Sequence, residues 1–137
     1  MKTDVLGQVL RAIRLKGSVY FNACFCSPWG MSLAVDEKAS FHIIVKGNAW
    51  LKMDSFDAPI KLNAGDIVLF PKGKSHTISD SPTSKCLNGK DVVQAYQNDK
   101  PLFSGDLDDF NIICGYVEFD RYLSHPFIDN LPDFIHI

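Results

Sequence analysis

From Gly17 onward the apolar residues of this chain recur at every second position, in runs too short for helices, with Gly, Pro and Asp between them. A period of two belongs to the strand, whose successive side chains point to opposite faces. Eight runs read as strands: Val19–Cys26, Met31–Val35, Phe41–Lys46, Ala49–Met53, Ile60–Leu62, Ile67–Phe70, His76–Ile78 and Asn111–Phe119. Ile67–Phe70 is apolar throughout and bounded by Gly65 and Pro71, so it reads as a strand buried on both faces. With 137 residues the chain makes one domain around one core. Short strands punctuated in this way close into a small barrel or jelly roll.

Two segments depart from the alternation. From Thr3 or Asp4 as N-cap, Val5, Leu6, Val9, Leu10 and Ile13 form one stripe while Gln8, Arg11 and Arg14 face away, which predicts a helix over about 3–15, ended by Lys16 and Gly17. Its three turns and few charges suit a helix covering a core better than a membrane anchor. The interval from Ser79 to Asp109 is rich in Ser, Pro, Asn, Gly, Lys and Asp, with only "VVQAY" as a helical turn. It reads as a long solvated loop over about 81–109, set between barrel segments at about 18–80 and 110–120, with a lid over a cavity as the alternative.

Charge and cysteine usage exclude several function classes. Fourteen basic and 16 acidic residues, with a pI near 6.0, lack the footprint of a nucleic-acid or membrane-surface domain. No apolar run approaches the roughly 20 residues of a membrane span, and the chain reads as cytoplasmic. Cys24, Cys26, Cys86 and Cys114 lack the spacing of a disulfide framework, and no second pair completes a zinc set around Cys24 and Cys26. No nucleophile elbow, phosphate loop or zinc-protease helix is present, so no enzymatic activity is expected. Asp106, Asp108 and Asp109, with Asp91 and Asp99, read as a solvated acidic face.

The motif with the most chemical content is "AGDIVLFPKGKSHTISDSP", in which Gly65, Pro71, Gly73, His76 and Asp80 fall at fixed spacing. It resembles the second sequence motif of the cupin superfamily, with Asp80 where Asn is usual. "FHIIVKGNAWLKM" resembles the end of the first cupin motif, where a strand runs into Gly47-Asn48. Taken in order, "SPWGMSL", "FHIIVKGNAWL", "AGDIVLFPKGKSHTISDSP", "CGYVEFD" and "HPFIDNLPDFIHI" resemble the N-terminal cupin domain of AraC-type bacterial transcriptional regulators. The resemblance implies an all-β fold, a cupin-type double-stranded β-helix (jelly-roll) barrel with an N-terminal α-helix. It also implies a regulatory role, in effector sensing, dimerisation or both. The partners would be a small-molecule effector, a second copy in a homodimer, and DNA reached only through a C-terminal helix-turn-helix domain beyond this chain. The apolar ending "LPDFIHI" fits a chain cut at a domain boundary.

Metal-binding cupins supply two His and a Glu from the first motif and one His from the second. Counting back from Gly47, the three first-motif places hold Ala34, Asp36 and Ser40, and only His76 remains. About three protein ligands are the usual minimum for a catalytic metal, so neither a metal nor any other cofactor is expected. Period two turns His42 and Ile44 the same way as Ser40, so His42 and His76 face one interior, where two neutral imidazoles can satisfy each other. If a metal were held, His42, His76 and Asp36 would be its ligands. The ligand-pocket candidates are therefore His42, His76 and Ile44, with Trp29 and Trp50 as aromatic walls in addition to their core role. The alternative function is a free-standing metal-binding cupin that binds or transforms a small molecule.

Overall fold

The computed structural model describes residues 16–105, 109–118 and 130–137. The helix expected over about 3–15, together with Asp106 and Asp108, lies outside them. All eight expected strands are present: β1 (Lys16–Phe25), β2 (Gly30–Leu33), β3 (Ala39–Lys46), β4 (Asn48–Lys52), β5 (Ile60–Asn63), β6 (Ile67–Phe70), β7 (His76–Ser79) and, later in the chain, β9 (Phe110–Glu118). Two short strands were not expected, β8 (Leu87–Asn88) and β10 (Ile135–His136). Each has two residues, too few to show a period.

The strands form two five-stranded sheets, ordered β1-β9-β3-β6-β10 and β5-β4-β7-β2-β8. Consecutive strands repeatedly fall in opposite sheets, which is the jelly-roll expectation realised. Alternation does the sorting: in β4, Ala49 and Leu51 are buried while Asn48 and Lys52 are exposed. The inward rows meet in a core whose fully buried members include Phe25, Trp29, Phe70, Phe110, Met31 and Leu51. Trp29 stacks on Phe110 with centroids 4.2 Å apart, and Phe25 packs on Phe103 at 5.0 Å.

The outward row of β3 is also occupied. Ala39, Leu69, Val117 and Ile135 form a second buried cluster with Phe41 against it. Phe41 lies across Gly115, where an added Cβ would stand 2.4 Å from the ring. The outward apolar row of β3 is thus covered in part, at Ala39 and Phe41, while Val45 at its far end is exposed.

The interval 81–109 corrects the sequence reading of a solvated loop. Leu87–Asn88 pairs in parallel with β2, and helix α1 (Gly89–Gln97) follows. The Asn88 side chain accepts from the Lys90 N–H at 2.9 Å, an N-cap that satisfies one of the helix's free donors. Val92 is wholly buried and Phe103 nearly so, and Tyr96 meets Phe21 and Phe25 edge-on or tilted. Three anchors spread over 12 positions hold the segment down, too sparse a pattern for periodicity to register.

Candidate functional site

Three strands approach the site with the same gradient along their inward rows. On β3 the row reads Ile44, His42, Ser40; on β9 it reads Ile112, Cys114, Tyr116; and these are cross-strand partners, Ile44 with Ile112, His42 with Cys114 and Ser40 with Tyr116. On β7 the row passes from Ile78 to His76. One rung is apolar, the next carries Cys and His, and the third carries hydroxyls. Beyond the middle rung the sheets part around a cavity of about 450 Å³.

The middle rung is a continuous hydrogen-bonded chain. His76 Nδ1 lies 2.9 Å from the Lys74 carbonyl, His76 Nε2 2.8 Å from His42 Nε2, and His42 Nδ1 3.0 Å from Cys114 Sγ. A carbonyl only accepts, so His76 carries its proton on Nδ1 and its Nε2 accepts. His42 must then donate from Nε2, which leaves its Nδ1 to accept from the Cys114 thiol. One fixed acceptor sets both tautomers and keeps both rings neutral. The chain crosses the interior, because β9 and β3 belong to one sheet and β7 to the other. His76 also stacks on Phe70 at 3.8 Å with the planes 6° apart.

Burial drives the titration of these groups. It lowers the His42 pKa well below the usual imidazole range, with the neighbouring His76 adding to the effect. It lowers His76 to about 4, opposed in part by the bond to the Lys74 carbonyl, and it pushes the Cys114 thiol upward. Desolvation disfavours each charged form, in agreement with the neutral chain deduced from geometry.

Tyr20 reaches the cavity through a β-bulge. Val19 pairs with Gly115 and Phe21 with Cys114, leaving Tyr20 as the extra residue, and it stacks on Tyr116 with centroids 4.7 Å apart. A bulge re-aims a side chain in this way. Burial raises the Tyr20 phenol, with Cys114, Tyr116 and Asp36 contributing. The Tyr116 hydroxyl donates to Asp36 Oδ2 at 3.3 Å, and the Lys38 N–H donates to Asp36 Oδ1 at 3.1 Å. Gly73, the motif glycine, has φ 62° and sits where a Cβ would stand 2.0 Å from the Asp36 carbonyl oxygen. Glycine there lets the turn before β7 close against the Asp36 segment, and the Asp36 N–H donates to the Gly73 carbonyl at 2.8 Å.

Of the residues singled out in the sequence, His42, His76 and Asp36 line the cavity, as do Ala34 and Ser40. All four positions counted as cupin ligand places therefore converge. Three other pocket candidates do not reach it. Ile44 lies one rung deeper, fully buried beside Ile112. Trp29 is consumed by the aromatic core, and Trp50 alternates with the buried Ala49 and Leu51, so it faces outward beneath Lys61 Nζ, 6.0 Å from the ring.

The donor set does not fit a metal. His42 Nε2 and His76 Nε2 are 2.8 Å apart and bonded to each other, whereas two nitrogens on one tetrahedral zinc stand roughly 3.3 Å apart. Asp36 is not drawn to the histidines; both its oxygens are engaged elsewhere. Among the described residues no three His, Cys, Asp or Glu side chains are grouped to hold a metal ion. Tyr20, Tyr116, Cys114 and the α1 residues were missed in the sequence. Cys114 and Tyr116 share a face by period two, but the pairing register that sets them beside His42 and Ser40 is not written locally.

Comparison with known proteins gives a family and a set of relatives. The sequence model of a family described as Cupin matches residues 4–137. A protein named "Putative AraC-like transcription regulator" from Streptomyces lividans is 25% identical over 134 residues, 98% of this chain and 44% of its own length. The HTH-type transcriptional regulator AlkR of Acinetobacter baylyi is 25% identical over 138 residues, 98% of this chain and 45% of its own length. The chain thus spans less than half the length of these relatives. Among the described residues no helix is long and apolar enough to cross a membrane.

Proposed function

Because the chain belongs to the cupin family, matched over residues 4–137, we propose that it is the regulatory, effector-sensing cupin domain of an AraC-type transcriptional regulator. The observation that carries this reading is the fate of the four converged ligand places. Ala34, Asp36 and Ser40 line an open cavity beside a histidine bonded within the protein, so the space suits a small organic molecule and lacks a metal's donors. The names of the full-length relatives support the regulatory context.

In this reading the domain senses and does not catalyse, works in the cytoplasm, holds no resident metal, and meets DNA only through a helix-turn-helix module. A net charge of −2 supplies no counterion-releasing surface of its own. Homodimerisation belongs to the same proposal. It is supported by the family reading and by Val19 and Val45, which stand exposed on β1 and β3 although Ala39 and Phe41 pack within the chain; sedimentation equilibrium at high micromolar concentration tests it.

The test of the regulatory role is a chimera in which this chain replaces the matched segment of the Acinetobacter baylyi regulator. Reporter transcription should change with at least one member of a small-molecule panel. A folded, DNA-bound chimera with flat output across the panel would overturn the sensing role. Sequence-selective DNA binding by the 137-residue chain alone would overturn the division of labour.

A further inference from the structure

The cavity has an uneven balance of satisfied and unsatisfied groups. Every nitrogen of His42 and His76 is committed, as are both carboxylate oxygens of Asp36. Ser40 is nine-tenths buried and lines the cavity, yet its hydroxyl has no partner among the described residues. The histidines are neutral, and the lining holds one carboxylate, Asp36, whose hydrogen bonds come from neutral donors, against two lysines, Lys74 and Lys90; none of the three has an ion-pair partner among the described residues.

The roof repeats the asymmetry. Lys90, Val93, Gln94 and Gln97 line the cavity at i, i+3, i+4 and i+7, one stripe of α1, while Val92 is buried in the core. An amphipathic helix normally turns its polar stripe to bulk water. Here Lys90, Gln94 and Gln97 are solvent-exposed and also border the cavity, so the stripe rims its open mouth, with Leu33 and Ala34 on the opposite wall. Two lysines stand against one carboxylate, so the balance of charge around the cavity is positive.

We propose that the cavity takes an amphipathic organic monocarboxylate of about the size of a bicyclic aromatic acid, its carboxylate met by Lys90 and Lys74 and its polar substituents by Ser40 and the α1 amides. This rests on the effector-sensing reading and deepens it. A cavity of about 450 Å³ is within the usual range for small-molecule sites and suits a ligand of this size. A lysine ammonium on a four-carbon stem can follow the carboxylate without demanding bidentate geometry. An amine would meet two lysines against the single carboxylate of the lining.

The experiment uses the whole 137-residue chain and three fluorescent probes of one shape: 2-naphthylacetate, 2-naphthylacetamide and 2-(2-naphthyl)ethylamine. The acid should bind about tenfold tighter than the amide, and the amine weakest. Lys90→Gln and Lys74→Gln should each weaken the acid by about threefold to fivefold and leave the amide unchanged, while Lys61→Gln, beneath which Trp50 lies outside the cavity, changes neither. Melting curves of all three variants confirm the fold. Equal binding of acid and amide, or preference for the amine, overturns the anion assignment and leaves the effector cavity standing. Failure of all three probes to bind the folded wild type overturns the cavity reading together with the assignment.

Discussion

The two ends of this barrel are built by the same strands and differ by four residues of travel. At one end Ile44, Ile112, Ile78 and Met31 meet Phe25, Trp29 and Phe110 in a dry, close-packed interior. Four residues along β3, Ser40 faces a cavity, and four residues along β9 so does Tyr116. Between them Cys114, His42 and His76 use up their polar atoms on one another and on the Lys74 carbonyl. A polar group facing apolar neighbours must be satisfied internally, whereas one facing a cavity can be left for water or a ligand. The rung of histidines is thus a boundary, and its neighbours on either side obey different energetics. Substitutions along β3 test that division directly.

The largest effect is expected at the dry end. Ile44→Ala removes a wholly buried side chain packed in a rigid interior and should cost roughly 2–5 kcal/mol, the transfer loss plus the cavity left behind. Chemical denaturation measures it. A cost below about 1 kcal/mol would mean that this end collapses as easily as the open one.

Acid comes next, because it attacks the boundary itself. In the unfolded chain histidine takes up a proton near pH 6.5, whereas His76 in the fold does so only near 4, and His42 is lowered as well. Between those values the unfolded state binds more protons, so this stability is complete above about pH 6.5 and is lost as pH falls, by about 1.4 kcal/mol per pH unit for each histidine. For His76 the loss reaches about 3 kcal/mol by pH 4. Denaturation between pH 7.5 and 5, above the main carboxylate range, should follow this slope. Ile44→Ala should shift the whole curve downward without changing the slope. A flat wild-type profile would mean that the imidazoles are not held neutral.

How far the sequence carried this picture depends on the range of the signal. Period two located eight strands, and the spacing from Gly65 to His76 located the turn that brings His76 inward. Pairing His42 with His76 followed from parity once the motif count from Gly47 had set Ser40 toward the cavity. Register was out of reach: only the sheet places Cys114 opposite His42, and only an unpaired residue in β1 turns Tyr20 inward, against strict alternation. Helix α1 was lost for a different reason. Its residues Lys90, Gln94 and Gln97 are polar and exposed at the cavity rim and only Gly89 and Val92 are buried, so the segment lacks the apolar stripe by which a helix is read.

A single lesion in the boundary should cost less than acid. His76→Ala strands the His42 Nε2–H and the Lys74 carbonyl and removes the stack on Phe70, for about 1–3 kcal/mol, and the domain should still fold. Within the full regulator it should alter effector response while leaving DNA recognition intact. Melting with and without EDTA and added zinc separates the two accounts of this histidine. Wild type and variant should both ignore the chelator; a wild-type midpoint that falls by many degrees while the variant's does not would make His76 a metal ligand.

The smallest effect is expected at Ser40, and its smallness is informative. Ser40 pairs with Tyr116 on the same strand and the same face as Ile44 and His42, so position and backbone pairing are matched and only the rung differs. Its hydroxyl has no protein partner among the described residues, so Ser40→Ala strands no donor and leaves no buried acceptor unpaired. Removing one oxygen from the wall of an open cavity also creates no sealed void, since water can fill the space. Stability should therefore move by less than about 0.5 kcal/mol, within the range typical of surface sites, although the residue is nine-tenths buried. Binding of a ring-hydroxylated 2-naphthylacetate, whose hydroxyl Ser40 would meet, should weaken at the same time. A loss of about 2 kcal/mol with unchanged ligand binding would instead place Ser40 in the packed interior and move the boundary one rung outward.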